Sequence, residues 1–202
     1  MLNFSRSLQI FLRNSITFST PLRQVKTLSP KKLKEHNTVI IVSPTCVDYK
    51  NIANFMKEHY FPNEPTCQAL GVKGYTILLD QMIASLTQGL SLVAKNKTTG
   101  EIMGVALNEK TTPWDADLND KLAVTIQCDN LKKLLHFYAT LERAPNIFQK
   151  YNVSEVFEIA NLAVSSHFRK KGIAKKLMIK SKEIAKKMDF EILRVDATSF
   201  YR

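Results

Sequence analysis

Leu162-Ala163-Val164-Ser165-Ser166-His167-Phe168-Arg169-Lys170-Lys171-Gly172-Ile173-Ala174 is the stretch on which the reading of this chain turns. An apolar strand feeds a short polar loop, and the loop opens a helix. Within it stands Arg-x-x-Gly-x-Ala. Gly172 lets backbone come close to a ligand. The amides of residues 170–174 fall at a helix start, where N–H groups lack intrahelical acceptors and the dipole favours an anion. Arg169, Lys170 and Lys171 add full positive charge. The group that fits such a turn is a pyrophosphate. A bare Arg-x-x-Gly-x-Ala also fits a solvated basic turn, so the strand before it and the helix after it are the required context.

Both flanks are legible. Glu155–Val164 (EVFEIANLAV) reads as a long strand. Gly172–Met188 carries Ile173, Ala174, Leu177, Met178, Ser181, Ile184, Ala185 and Met188 on one helical stripe. Its lysines lie on the opposite face, as on any surface helix. Glu191–Asp196 reads as a last strand.

Further upstream, Thr38–Val42 is a β-branched run ended by Ser43-Pro44. Val47 to Tyr60 and Tyr75–Thr87 have helical spacing, separated by Phe61-Pro62-Asn63-Glu64-Pro65, which two prolines should keep out of helix. Ser91–Lys95 and Glu101–Leu107 flank Asn96-Lys97-Thr98-Thr99-Gly100, good hairpin chemistry. Residues 108–121, with Trp114, read as a loop, and Asn130–Leu141 as a helix. The order β-α-α-β-β-α-β-α-β predicts a mixed α/β domain around a central sheet.

Length and composition agree. At about 150 residues per domain, 202 residues make one domain and some extra. Hydrophobic residues are 45% and charged residues 23%, which suits a globular chain, and the 13 glycines and prolines exclude collagen-like and Pro/Gly low-complexity classes. Cys46, Cys67 and Cys128 are odd in number and lie outside any CxxC pattern, which argues against a disulfide framework or a zinc site. The net charge of +11 is local. Residues 1–36 hold seven basic groups and one acid, and residues 169–187 hold nine and one, leaving a slightly acidic body. The second run lacks interleaved aromatics, so nucleic-acid binding is not expected. No apolar run reaches the ~18 residues of a membrane span. His59, His136 and His167 suggest neither a triad nor a metal; His136 reads as a packing residue and His167 as exposed.

Residues 1–37 are set apart as a basic N-terminal extension. Arginines interrupt its apolar stretch, so it resembles a mitochondrial transit peptide more than a secretory signal, and a plain basic tail fits too. The expected location is cytoplasmic or mitochondrial.

The coenzyme-type loop resembles that of the GNAT superfamily of acetyl-CoA-dependent N-acetyltransferases, whose pattern is R/Q-x-x-G-x-G/A. His59-Tyr60-Phe61-Pro62-Asn63-Glu64-Pro65-Thr66, Ser91–Asn108, Asn146–Tyr151 and Arg194–Tyr201 resemble segments of insect-type arylalkylamine N-acetyltransferases. Together they span nearly all of 38–202. The resemblance implies acetyl-CoA as cofactor and direct acetyl transfer to a small primary amine. It implies Glu64 as general base, and pantetheine along Leu162, Ala163 and Val164. It implies that amides of the strand at Ala163–Val164 polarise the thioester carbonyl, and that the pyrophosphate rests on Arg169, Lys170, Lys171, Gly172, Ile173 and Ala174. Tyr60 and Phe61, beside Glu64, are the pocket candidates; Trp114 is a weaker one. The family's segment D-x-T-S-x-Y-S-A-R, with serines implicated in catalysis or substrate binding, is matched at Thr198, Ser199 and Tyr201, while Arg202 stands at the last serine.

The resemblance also implies a further helix and strands after Arg202. On that basis the chain is expected to be truncated, marginally stable and weak as an enzyme. The alternative is a non-catalytic GNAT-like protein that binds coenzyme A or a partner. Oligomeric state is left open.

Overall fold

The computed structural model describes residues 39–197, so the N-terminal extension and the candidates Thr198 and Ser199 lie outside the described residues. Five strands form one sheet in the order β1-β2-β3-β4-β5. They are β1 (Val39–Val42), β2 (Leu92–Asn96), β3 (Ile102–Thr111), β4 (Val156–Val164) and β5 (Leu193–Arg194). The first four run antiparallel to their neighbours, and β5 runs parallel to β4. This is the mixed α/β sheet expected.

The helices are α1 (Tyr49–His59), α2 (Pro65–Ala69), α3 (Thr76–Thr87), α4 (Asp115–Thr125), α5 (Asp129–Arg143), α6 (Ile147–Tyr151) and α7 (Ile173–Lys187). They make two layers. Val93, Val105, Leu107 and Ala163 face a core built from Ile52 and Phe55 of α1, Leu78 and Leu79 of α3, and Leu131 and Leu135 of α5. On the other face, Leu92, Ala94, Met103 and Ala106 meet Ile173 and Leu177 of α7. The apolar stripe of α7 is narrower than its sequence suggested. Ile173, Leu177, Ser181 and Ala185 are buried, but Met178 and Met188 are exposed.

The hairpin forms as read. Asn96 Oδ1 accepts from the amides of Thr98 (2.9 Å) and Thr99 (3.3 Å), and Gly100 takes a φ of 73°. Three readings need correction. First, residues 108–121 are not a loop: β3 continues to Thr111 and α4 follows. Asn108 is fully buried, its side chain bonded to Leu90 O (2.9 Å) and to Ser181 of α7 (2.9 Å), so a polar residue extends the strand. Trp114 stands just before α4 and is 70% exposed. Second, the two prolines do not exclude helix. Phe61–Asn63 is a 3-10 turn, and Pro65 begins α2 at its first position, where a missing N–H costs nothing. His136 is also exposed rather than packed, with Nδ1 2.6 Å from Asp120 Oδ1.

Gly104 sets how closely α7 approaches the sheet. A Cβ there would stand 3.1 Å from Ala163 O, 3.1 Å from Ile173 Cγ2 and 3.3 Å from Leu177 Cδ1. The carbonyl belongs to the neighbouring strand and cannot turn aside. Gly104→Ala is therefore expected to destabilise the chain by about 1–3 kcal/mol, as overpacking does. A fall in the thermal midpoint checks this; an unchanged midpoint would show that α7 simply shifts.

Candidate active site

β4 leaves its partner soon after it begins. Its register with β5 is Phe157↔Leu193 and Glu158↔Arg194, and among the described residues the pairing ends there. From Ile159 to Val164 no described residue pairs with one edge of β4, while the other edge stays bonded to β3. A bulge decides which amides face the opening. Leu107 pairs with Asn161 but Asn108 pairs with Ile159, so Ala160 is an extra residue. Phe157 N–H donates to Ile192 O (3.0 Å), toward β5, whereas Ser165 N–H donates to Met103 O (3.1 Å), toward β3. Strand alternation then turns the Ala163 amide into the ladder and the Leu162 and Val164 amides to the open edge. The two residues named together in the sequence reading are thus separated: Val164 presents its N–H to the cleft, and Ala163 does not.

The open edge runs into the anion turn. Ser166–Phe168 forms a 3-10 turn, and α7 starts at Ile173. Lys170 (φ 63°) and Gly172 (φ 76°) are both left-handed, a backbone form that gathers N–H groups into an anion nest. Gly172 is the residue suited to that geometry. The first helical bond is Lys176 N–H to Gly172 O, at 3.1 Å. The amides of Ile173, Ala174 and Lys175 precede it, and no acid occupies the first turn. Arg169 Nε folds back onto Val164 O at 3.3 Å, which ties the turn to the end of the open edge. Lys171 Nζ lies 5.8 Å from the centre of the Phe168 ring.

Glu64 is buried, not the solvated loop carboxylate its sequence position suggests. It caps α2. Oε2 accepts from Cys67 N–H (2.6 Å) and from the Thr66 hydroxyl. Both of these bonds fall on Oε2, which leaves Oε1 outside the cap. Thr66 Oγ1 lies 3.3 Å from the Tyr138 hydroxyl. Asn161 Nδ2 donates to the Tyr60 hydroxyl at 2.9 Å, which tethers the Glu64 segment to β4 one residue before Leu162. Burial and the Glu64 charge raise the Tyr60 phenol and push the Cys67 thiol up to about 12. Burial, with the charges of Tyr60, Glu64 and Cys67, raises Tyr138 as well. Phe61 is in the core, 1% exposed and stacked on Tyr75 at 4.2 Å.

Tyr138, Asn161, Thr66 and Cys67 were not singled out from sequence. The one available signal was Asn161, a polar residue inside an apolar strand. A second polar cluster lies further down the same seam. Glu158 of β4, Glu142 of α5 and Glu109 of β3 surround Arg194 of β5, with Asp115 and Asp196 beside them. Burial raises all three glutamates. Glu142 and Glu158, each further raised by nearby carboxylates, are pushed to about 7 despite the opposing Arg194 charge. Both bind protons more tightly folded than unfolded. Their contribution to stability is present below their ordinary carboxylate value and is lost as pH rises through 7. The thermal midpoint should therefore fall from pH 5 to pH 8, and Glu142→Gln or Glu158→Gln should flatten that slope. An unchanged slope in both variants would place the titration elsewhere.

The open edge and the turn suit an acyl coenzyme A. The edge offers N–H groups to an extended amide-bearing arm, and the turn offers amides and cations to a pyrophosphate. Among the described residues no group of His, Cys, Asp and Glu is arranged to hold a metal ion. No helix of the described residues is long and apolar enough to cross a membrane.

Comparison with known proteins matches residues 55–202 to a family model described as the acetyltransferase (GNAT) family. No curated protein matches the chain by sequence. Among solved structures, arylalkylamine N-acetyltransferase 2 from Aedes aegypti is 29% identical, with a TM-score of 0.75 over 80% of this chain and 77% of that one. A mosquito arylalkylamine N-acetyltransferase-like 5b is 18% identical, with a TM-score of 0.75 over 81% and 78%. Polyamine N-acetyltransferase from Drosophila melanogaster is 17% identical, with a TM-score of 0.73 over 81% and 78%. At those lower identities the last two show the fold alone.

Proposed function

The chain belongs to the acetyltransferase (GNAT) family, and from that membership we propose that it transfers acetyl from acetyl-coenzyme A to the primary amine of a small arylalkylamine. The observation that carries this reading is the open edge of β4. It runs into the left-handed turn at Gly172, and the Asn161–Tyr60 hydrogen bond ties to it the segment that carries the buried carboxylate of Glu64. The similarity to the mosquito arylalkylamine enzyme supports the substrate class.

Acetyl-coenzyme A, when bound, supplies an acetyl group activated as a thioester. The amides of Leu162 and Val164 line the cleft for its pantetheine arm and for the carbonyl oxygen that gains charge during attack. Arg169, Lys170, Lys171 and the amides of Gly172, Ile173 and Ala174 hold the pyrophosphate. The amine arrives as an ammonium ion and cannot attack until it loses a proton. Glu64 Oε1 takes that proton, directly or through one water. Thr66 and the Cys67 amide hold Oε2, which fixes the carboxylate without using up its basic oxygen. Tyr60, bonded to Asn161, forms the wall beside Glu64.

Substrate class is tested by following acetylation of dopamine, serotonin, spermidine and a lysine peptide by mass spectrometry. The highest kcat/KM is expected for an aromatic amine. Turnover confined to the peptide would overturn the small-amine reading. A folded chain that binds coenzyme A yet acetylates none of these would support a non-catalytic, coenzyme-binding role.

A further inference from the structure

Among the described residues β5 is in register with β4 at two positions, with Ile192 O accepting from Phe157 N–H just before them, so what holds this short ladder in place governs the width of the cleft beyond. Arg194 is 6% exposed, and its register partner across that short ladder is Glu158. Arg194 Nη1 lies 3.7 Å from Glu158 Oε2. The same oxygen accepts from Thr111 Oγ1 of β3 at 2.8 Å. One carboxylate oxygen therefore joins three adjacent strands. Arg194 Nη2 reaches Asp196 Oδ2 at 2.5 Å, fixing the chain just after β5.

The cluster has one donor and one acceptor to spare. Among the described residues, Arg194 Nε and Glu142 Oε2 are the buried side-chain atoms without a partner. Glu142 stands four residues after Tyr138, on the same face of α5. The guanidinium is thus enclosed by acids from β4, α5 and the segment just after β5, with Glu109 of β3 nearby. Leu162 and Val164 lie four and six residues beyond Glu158, on the edge that opens where this attachment ends.

We propose that Arg194 is a positioning residue: its pairing with Glu158 fixes how far β5 stands from β4, and so sets the seat of the acyl coenzyme along Leu162–Val164. This rests on the coenzyme reading of the cleft. Arg194 touches none of the reacting atoms in that reading. A displaced seat changes affinity for the coenzyme and the alignment of its carbonyl, and a shift of about 1 Å costs up to about 10²-fold in rate.

The test uses the full chain, with coenzyme A binding measured by titration calorimetry and acetyl transfer measured alongside. Arg194→Met with Glu158→Gln removes both members of the pair together, so that neither is left buried without the other. The double variant is expected to melt near the wild type yet bind coenzyme A about tenfold more weakly, with the KM for the amine unchanged. Should it not fold, Arg194→Lys, which keeps the charge but loses the fork, decides. Weaker coenzyme binding with unchanged amine KM supports the proposal. Wild-type coenzyme affinity in either folded variant overturns it. Absence of coenzyme binding by the folded wild-type chain would instead overturn the coenzyme reading on which it depends.

Discussion

Glu64→Gln is expected to lower kcat about 10²- to 10³-fold, the range for losing a general base. The substitution is informative because Glu64 has two tasks on two oxygens. Oε2 caps α2 through Cys67 N–H and the Thr66 hydroxyl. A glutamine carbonyl can accept both bonds, so the cap and the fold survive. What it cannot do is take a proton. Acetyl-coenzyme A affinity, set on β4 and the Gly172 turn, should stay at the wild-type value. Glu64→Ala removes the cap as well and should cost about 1 kcal/mol of stability besides activity. Steady-state kinetics with a melting curve for each variant separates the two tasks. Wild-type kcat in Glu64→Gln would remove Glu64 from the chemistry.

The second large effect concerns the anion turn. The double variant Arg169→Glu/Gly172→Glu should lose at least about 10²-fold in affinity for acetyl-coenzyme A, since each 1.4 kcal/mol is tenfold. Two negative charges would replace one positive and one neutral position at a helix start that carries no acid. Gly172 has a φ of 76°, so a side chain there also strains the backbone by about 1–2 kcal/mol. For a domain of this size that strain is a few degrees in the melting midpoint. Affinity lost from a folded chain therefore reports the site and not the fold. Titration calorimetry checks it, and undiminished binding would mean that the pyrophosphate lies elsewhere.

What could be read from the sequence was local. The Asn96–Gly100 hairpin, the start of α7 at Ile173 and the long strand before it follow from turn chemistry and spacing within a few residues. The helix α4 did not show because its buried residues are only Ala116 and Ala123, too small for an apolar period. It packs through Ala123 and Leu122 on the core that Leu131 and Leu135 of α5 share, and at the surface Arg143 pairs with Asp117 (2.5 Å) and Asp120 (2.6 Å). The end of β3 was hidden because Asn108 looks like a loop residue until Ser181 and Leu90 are placed around it.

The site divided in the same way. Gly172 and its basic neighbours announce themselves by spacing. The open edge does not, because it depends on where β5 stops and on the extra residue at Ala160. That one bulge turns Val164 rather than Ala163 toward the cleft. Glu64 stands between two prolines and reads as a surface carboxylate, yet it is buried by its role as the cap of α2. Glu158 was visible as a charge within an apolar strand. Its partners Arg194, Thr111 and Glu142 come from three other elements, and no spacing along the chain connects them.

Acetyl transfer itself is tested most directly by incubating the full 202-residue chain with acetyl-coenzyme A and dopamine, following free thiol and N-acetyldopamine together. The expected result is equal amounts of both products from the wild type and a large loss of both in Glu64→Gln. Thiol released without acetylated amine, or no product from a folded chain that binds the coenzyme, would contradict it.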